Sequence, residues 1–140
     1  MMMLTTLLMA ALLQTGAASG APITTIEKGA ESAVDSPRQV TARTPAEWAA
    51  LWHAHSWDRP MPEVDFTRDM VVGVFMGSRP TAGFGVEIVG TRQEDGALVV
   101  QYRETRPPRD AMTAQIITAP YHLAAIPTFA GEVKFEKVAD

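Results

Sequence analysis

The sequence has no cysteine. Disulfide frameworks, thiolate metal sites, thiol nucleophiles and a lipidated cysteine anchor are therefore excluded together. Charge is missing from the start of the chain: residues 1–26 carry no ionisable side chain, and Glu27 is the first. A basic excess is missing as well. The formal net charge is −4, and the basic residues, mostly arginine, are spread out except for Arg103, Arg106 and Arg109. Nucleic-acid binding runs on clustered Lys and Arg, so no nucleic-acid partner is expected. The apolar run MLTTLLMAALL, Met3 to Leu13, is shorter than the ~20 residues that cross a bilayer as a helix.

That run has the length of a signal-peptide core, and the small residues GAASGA follow it, with Ala18 and Gly20 placed for cleavage before Ala21. The first residues depart from the usual pattern in having no Lys or Arg. The expectation is a signal peptide over residues 1–20 and an exported protein, periplasmic, cell-surface or extracellular, with no membrane span after cleavage. An uncleaved anchor and a cytoplasmic protein are the competing readings.

What is present suits one globular domain. The chain has 140 residues, 46% of them apolar, enough to bury a core without metal or disulfide support. Residues 21–37 read as an N-terminal approach segment and 38–140 as the domain. RQVTA, Arg38 to Ala42, is a short strand candidate. RTPAEWAALWHAHS is the clearest local signal. Thr44 can cap, Pro45 suits the first helical position and Glu47 completes a capping box. Trp48, Leu51, Trp52 and His55 then fall at i, i+3, i+4 and i+7, which predicts one amphipathic helix over 45–56.

Beyond WDRPMPEVDF the period becomes extended. MVVGVFM, Met70 to Met76, is apolar on both faces, as in a central strand covered on each side. FGVEIVG and ALVVQYRET alternate around an Asp-Gly turn and predict a hairpin. MTAQIIT and YHLAAI read as strands on either side of Ala119-Pro120, and EVKFEKV closes the chain with Val133 and Phe135 inward. The fold class expected is α+β: a curled, mainly antiparallel sheet with the helix packed on it.

GSRPTAGFG, residues 77–85, joins two of these strands. It is no phosphate loop: Phe84 stands where the lysine belongs, and a strand follows instead of a helix. Pro80 fixes its own φ and biases Arg79 to an extended backbone, while Gly83 can take a positive φ. The arginine is expected to project outward. Two readings stand side by side, a well-made turn and a semi-rigid recognition loop with Arg79 as its contact.

Gly77, Arg79, Pro80, Thr81, Gly83, Phe84, Val86 and Ile88, followed by Thr118, Pro120 and Tyr121, resemble the pattern G-x-[RK]-P-T-G-G-Y-x-V-x-I and its later Thr-x-Pro-Tyr segment. This is the pattern of the C-terminal domain of the PrcB family of bacterial protease-complex subunits. Ala82 replaces a glycine and Phe84 a tyrosine, which removes a hydroxyl. With the AEWAALW helix, the resemblance spans roughly 38–138. It implies an exported bacterial module, not an enzyme, that associates with a protein partner such as a secreted protease and needs no cofactor. RPTAGF also resembles one loop of chagasin-type cysteine-protease inhibitors, the alternative function. The other loops of that family have no counterpart here.

Other chemistry finds little support. His53 and His55 sit two apart on the helix and diverge by about 200°, so they do not chelate one ion. His122 has no partner that the sequence brings near, and Ser78 lies outside a G-x-S-x-G elbow. Glu63, Asp65 and Asp69 lack the calcium-loop spacing, and no metal site is expected. Arg106 and Arg109, with Arg103, flank Pro107-Pro108 and read either as a solvated loop or as a second contact loop for an acidic partner surface. The candidate partner-binding residues are thus Arg79, Pro80, Thr81, Phe84, Arg106 and Arg109.

Overall fold

A computed structural model of the protein describes residues 20–139. The expected signal peptide falls almost wholly outside them. Strand β1 (Thr24–Gly29) and β2 (Arg38–Ala42) precede helix α1 (Pro45–His55); β3 (Asp69–Phe75), β4 (Gly85–Glu94), β5 (Ala97–Thr105), β6 (Tyr121–Pro127) and β7 (Val133–Lys137) follow. The α+β class holds, with a difference. The strands form two sheets rather than one: β1-β6-β3-β2, all antiparallel, and β4-β5-β7. In the second sheet β5 and β7 run parallel. A parallel pair needs a long crossover, and the chain supplies one by passing from Thr105 through β6 of the other sheet before reaching Val133.

Three layers result: helix, four-stranded sheet, three-stranded sheet. β3 lies at the centre, as its doubly apolar sequence predicts. Met70, Val72, Val74 and Met76 face β4 and β5, packing with Val86, Ile88, Leu98 and Val100. The alternate residues Val71 and Phe75 face α1, against Trp48, Leu51 and Trp52. Each fully buried side chain of this size is worth about 1.5–3 kcal/mol, so the two apolar layers on β3 dominate the stability of the domain. Gly73 sits in the helix-side layer, close against its neighbours. A Cβ there would lie 2.8 Å from Leu123 and 3.1 Å from Val40.

The helix forms as its sequence dictates. Thr44 caps it by accepting from Glu47 N–H at 3.1 Å, and Glu47 in turn accepts from Arg43 N–H at 2.7 Å. The buried positions are Trp48, Leu51, Trp52 and His55, the expected stripe. Both indoles donate outward to the connection that follows, Trp48 to Pro62 O and Trp52 to Arg59 O. The β4–β5 hairpin turns through Asp95 and Gly96 with φ 52° and 80°, the positive pair a two-residue turn demands.

The segment 21–37 contributes to the first sheet, because its Thr24–Gly29 pairs along β6 as edge strand β1. One expectation needs correction. MTAQIIT is not a strand: residues 112–118 form no ladder beyond one isolated bridge between Thr118 and Arg79. Its alternation has no neighbouring strand to face, and Met112, Ile116 and Ile117 are left in water.

Candidate docking site

The loop after β3 is held from several sides by main-chain bonds. Ser78 N–H donates to Asp35 O at 2.9 Å, Arg79 and Thr118 exchange both their backbone bonds at 2.7 and 2.9 Å, and Ala82 N–H donates to Ala114 O at 3.0 Å. The Thr118 hydroxyl donates to Thr81 O at 2.9 Å. Gly83 has φ 97°, and a Cβ there would stand 2.9 Å from Pro107. The loop at 77–84 therefore packs directly on the loop at 105–111, and only glycine fits the contact. The loop is thus tied along its length to Asp35, Ala114 and Thr118.

This packing brings three of the candidate residues together. The Arg79 guanidinium lies 5.7 Å from the Phe84 ring centroid and that of Arg106 lies 6.0 Å from it. Both distances are within cation–π range. Arg106 also donates to Glu104 at 3.2 Å. Arg79 does not project freely outward as expected. It is half-buried along the ring, and its Nε is sealed from water without an acceptor. Among the described residues no carboxylate comes within ion-pair distance of it. The Phe84 ring thus stands within reach of two guanidinium groups.

The remaining candidates take other places. Pro80 is exposed beside Arg79, and the Thr81 hydroxyl turns to Ala82 O. Arg109 stands exposed on the turn closed by Ala111 N–H to Pro108 O and is not brought to the ring. Arg103 points elsewhere, to Ala139 O.

A second constellation, on the helix side, was not legible in the sequence. His55 is buried and bonds Ser32 Oγ through Nδ1 and Glu27 through Nε2, both at 2.8 Å. Glu27 also accepts from Arg59 and from the Tyr121 hydroxyl at 2.7 Å. Burial by itself would push the Glu27 carboxyl up; the hydrogen bonds from Arg59, His55 and Tyr121, with the Arg59 charge, outweigh it and bring the pKa down to about 2. Ser32, His55 and Glu27 follow one another in the order of a hydrolase relay. Yet the His55 side chain is fully enclosed, and the N–H groups of Ser32, Ala33 and Val34 are taken by Ala119 O, His55 O and Ser32 Oγ. No donor of that turn is left for an oxyanion. What the network does is pin β1, the end of α1 and β6 to one another.

His53, two residues away, is exposed. His122, which the sequence left without a partner, joins the two sheets. Its Nδ1 accepts from Ile88 N–H at 2.8 Å and its Nε2 meets Thr25 Oγ1 at 2.9 Å. Ile88 lies on edge strand β4, so the imidazole satisfies a main-chain donor the ladder leaves open. Burial, and then the Lys28 charge, hold the His122 pKa below its ordinary value.

Residues 70–127 match the family model described as PrcB C-terminal. This segment belongs to that family. The match runs from β3 through β6 and includes all six candidate residues, but stops short of α1 and β7, which the wider resemblance had included. No curated protein and no solved structure matches the chain. The PrcB C-terminal segment therefore supplies the inner strands β3 and β6, the β4–β5 hairpin and the two contacting loops, while β1, β2, α1 and β7 complete the sheets and cover them.

Proposed function

We propose that the protein is an exported, non-enzymatic docking module, an accessory subunit that associates with a protein partner such as a secreted protease. The observation that carries this reading is the convergence of Arg79 and Arg106 on Phe84 at the surface, from loops locked to each other by main-chain bonds and by the Gly83–Pro107 contact. A site held this rigidly loses little entropy on binding, and Arg is the side chain most suited to planar recognition at an interface. Membership of the PrcB C-terminal family supports the association with a protease complex, and the leader run at Met3–Leu13 supports export.

The test is affinity capture of partners from the protein's own culture, with mass spectrometry, using the natural chain and an Arg79→Ala/Arg106→Ala variant. The expected outcome is a specific partner lost from the variant while its thermal melting stays close to that of the natural chain, because exposed and half-exposed arginines contribute little to stability. Capture of the same proteins by both chains would overturn the reading, and so would unfolding of the variant.

A further inference from the structure

The most exposed large apolar side chains lie around one cleft and along the segment beside it. Trp57 is 89% exposed and Ile117 is 78% exposed, and both line an open cleft of about 670 Å³ whose wall includes Ser78. Ser78 is followed by Arg79, and Thr118, also at the cleft, is paired to Arg79 through both backbone bonds. The cleft and the Arg79–Phe84–Arg106 cluster are therefore neighbours, joined by the segment 111–118. That segment has no charged residue and holds Met112 and Ile116 in water. Lone exposed apolar residues need no explanation, but a connected set of them beside a basic cluster marks an interaction surface.

The two ends differ in charge. At one end Arg79 is half desolvated with no carboxylate partner among the described residues, and a guanidinium in that state gains most from an incoming carboxylate. At the other end Glu31, Asp58 and Arg59 line the cleft, and Arg59 is already paired to Glu27, which disfavours an acid there and leaves Trp57 and Ile117 to receive an apolar side chain. We propose that these are two ends of one groove, and that its occupant is an extended segment of a partner protein carrying an Asp or Glu for Arg79 and Arg106 and, a few residues away, an aliphatic or aromatic side chain for the Trp57–Ile117 cleft. The proposal rests on the docking reading and extends it by a second contact and by the chemistry of the partner.

Panning a random dodecapeptide phage library against the full chain tests it. Enriched peptides pair an acidic residue with an apolar one, bind about tenfold or more weakly to Arg79→Gln/Arg106→Gln and to Ile117→Ser, and shift the tryptophan emission of the natural chain but not that of Trp57→Phe. Melting curves check that each variant is folded. Peptides that lack acidic residues overturn the proposal. So do peptides that lose binding to the arginine variant but ignore Ile117→Ser and leave Trp57 unmoved; either result keeps the docking reading. If no peptide is enriched, or if binding ignores every substitution, the docking reading falls with it.

Discussion

Glu27 receives four hydrogen bonds, one from His55, two from Arg59 and one from Tyr121. An amide in its place keeps the shape but not the charge that the Arg59 guanidinium pairs with. Glu27→Gln is expected to destabilise the domain by about 1–3 kcal/mol, read as a lower urea midpoint at pH 7. The carboxyl's folded pKa is about 2 against an ordinary 4.5, so its contribution is whole above 4.5 and is lost as pH falls from there toward 2. The variant should show a flatter pH dependence in that window. His122 has the same sign for a different reason: its pKa is depressed, so as pH drops below 6.5 the unfolded chain takes up its proton before the folded one does. Stability should fall as the pH is lowered through that value, and less so in His122→Gln. Neither partnership was legible in the sequence, because Glu27 and His55 are 28 residues apart and His122 and Ile88 are 34 apart. Only the pairing of β1 with β6 and the stacking of the sheets bring them together.

At the scale of the element, local pattern predicts well wherever one signal settles the outcome. The helix was readable because cap, proline and apolar period agree, and β3 because a strand apolar on both faces can only be central. Gly73 is the tightest point of that strand. Gly73→Ala would press a methyl against Leu123 and Val40, an overpacking expected to cost about 1–3 kcal/mol and to appear as a drop in denaturation midpoint with the same slope. The segment 112–118 shows where pattern fails. Its alternation of apolar and polar residues matches a strand, but no strand edge is offered to it, and the loop after β3 takes the only bridge it forms. Periodicity describes a face without saying that anything lies opposite.

For the whole molecule, the family segment is not the folding unit. A fragment of residues 70–127 would lose both outer strands of the first sheet, the helix that covers β3 and the strand that pairs with β5. It is expected to lack cooperative urea unfolding and dispersed amide resonances. Tryptophan quenching reads the native layers directly. Trp48 and Trp52 are buried while Trp57 is exposed, so acrylamide should quench mainly Trp57, and Trp57→Phe should remove most of the effect while the melting temperature is retained. The sequence by itself determined the composition limits, the helix, the central strand, the hairpin and the positive φ at Gly83, because each follows from side-chain period or backbone restriction within a few residues. Only the tertiary structure decided that there are two sheets, that β7 lies parallel to β5, that Arg79 and Arg106 share one ring, and that Ile117 faces a cleft with Trp57. Those outcomes depend on which distant segments meet, and the energy that selects them is burial summed over the whole domain rather than any local preference.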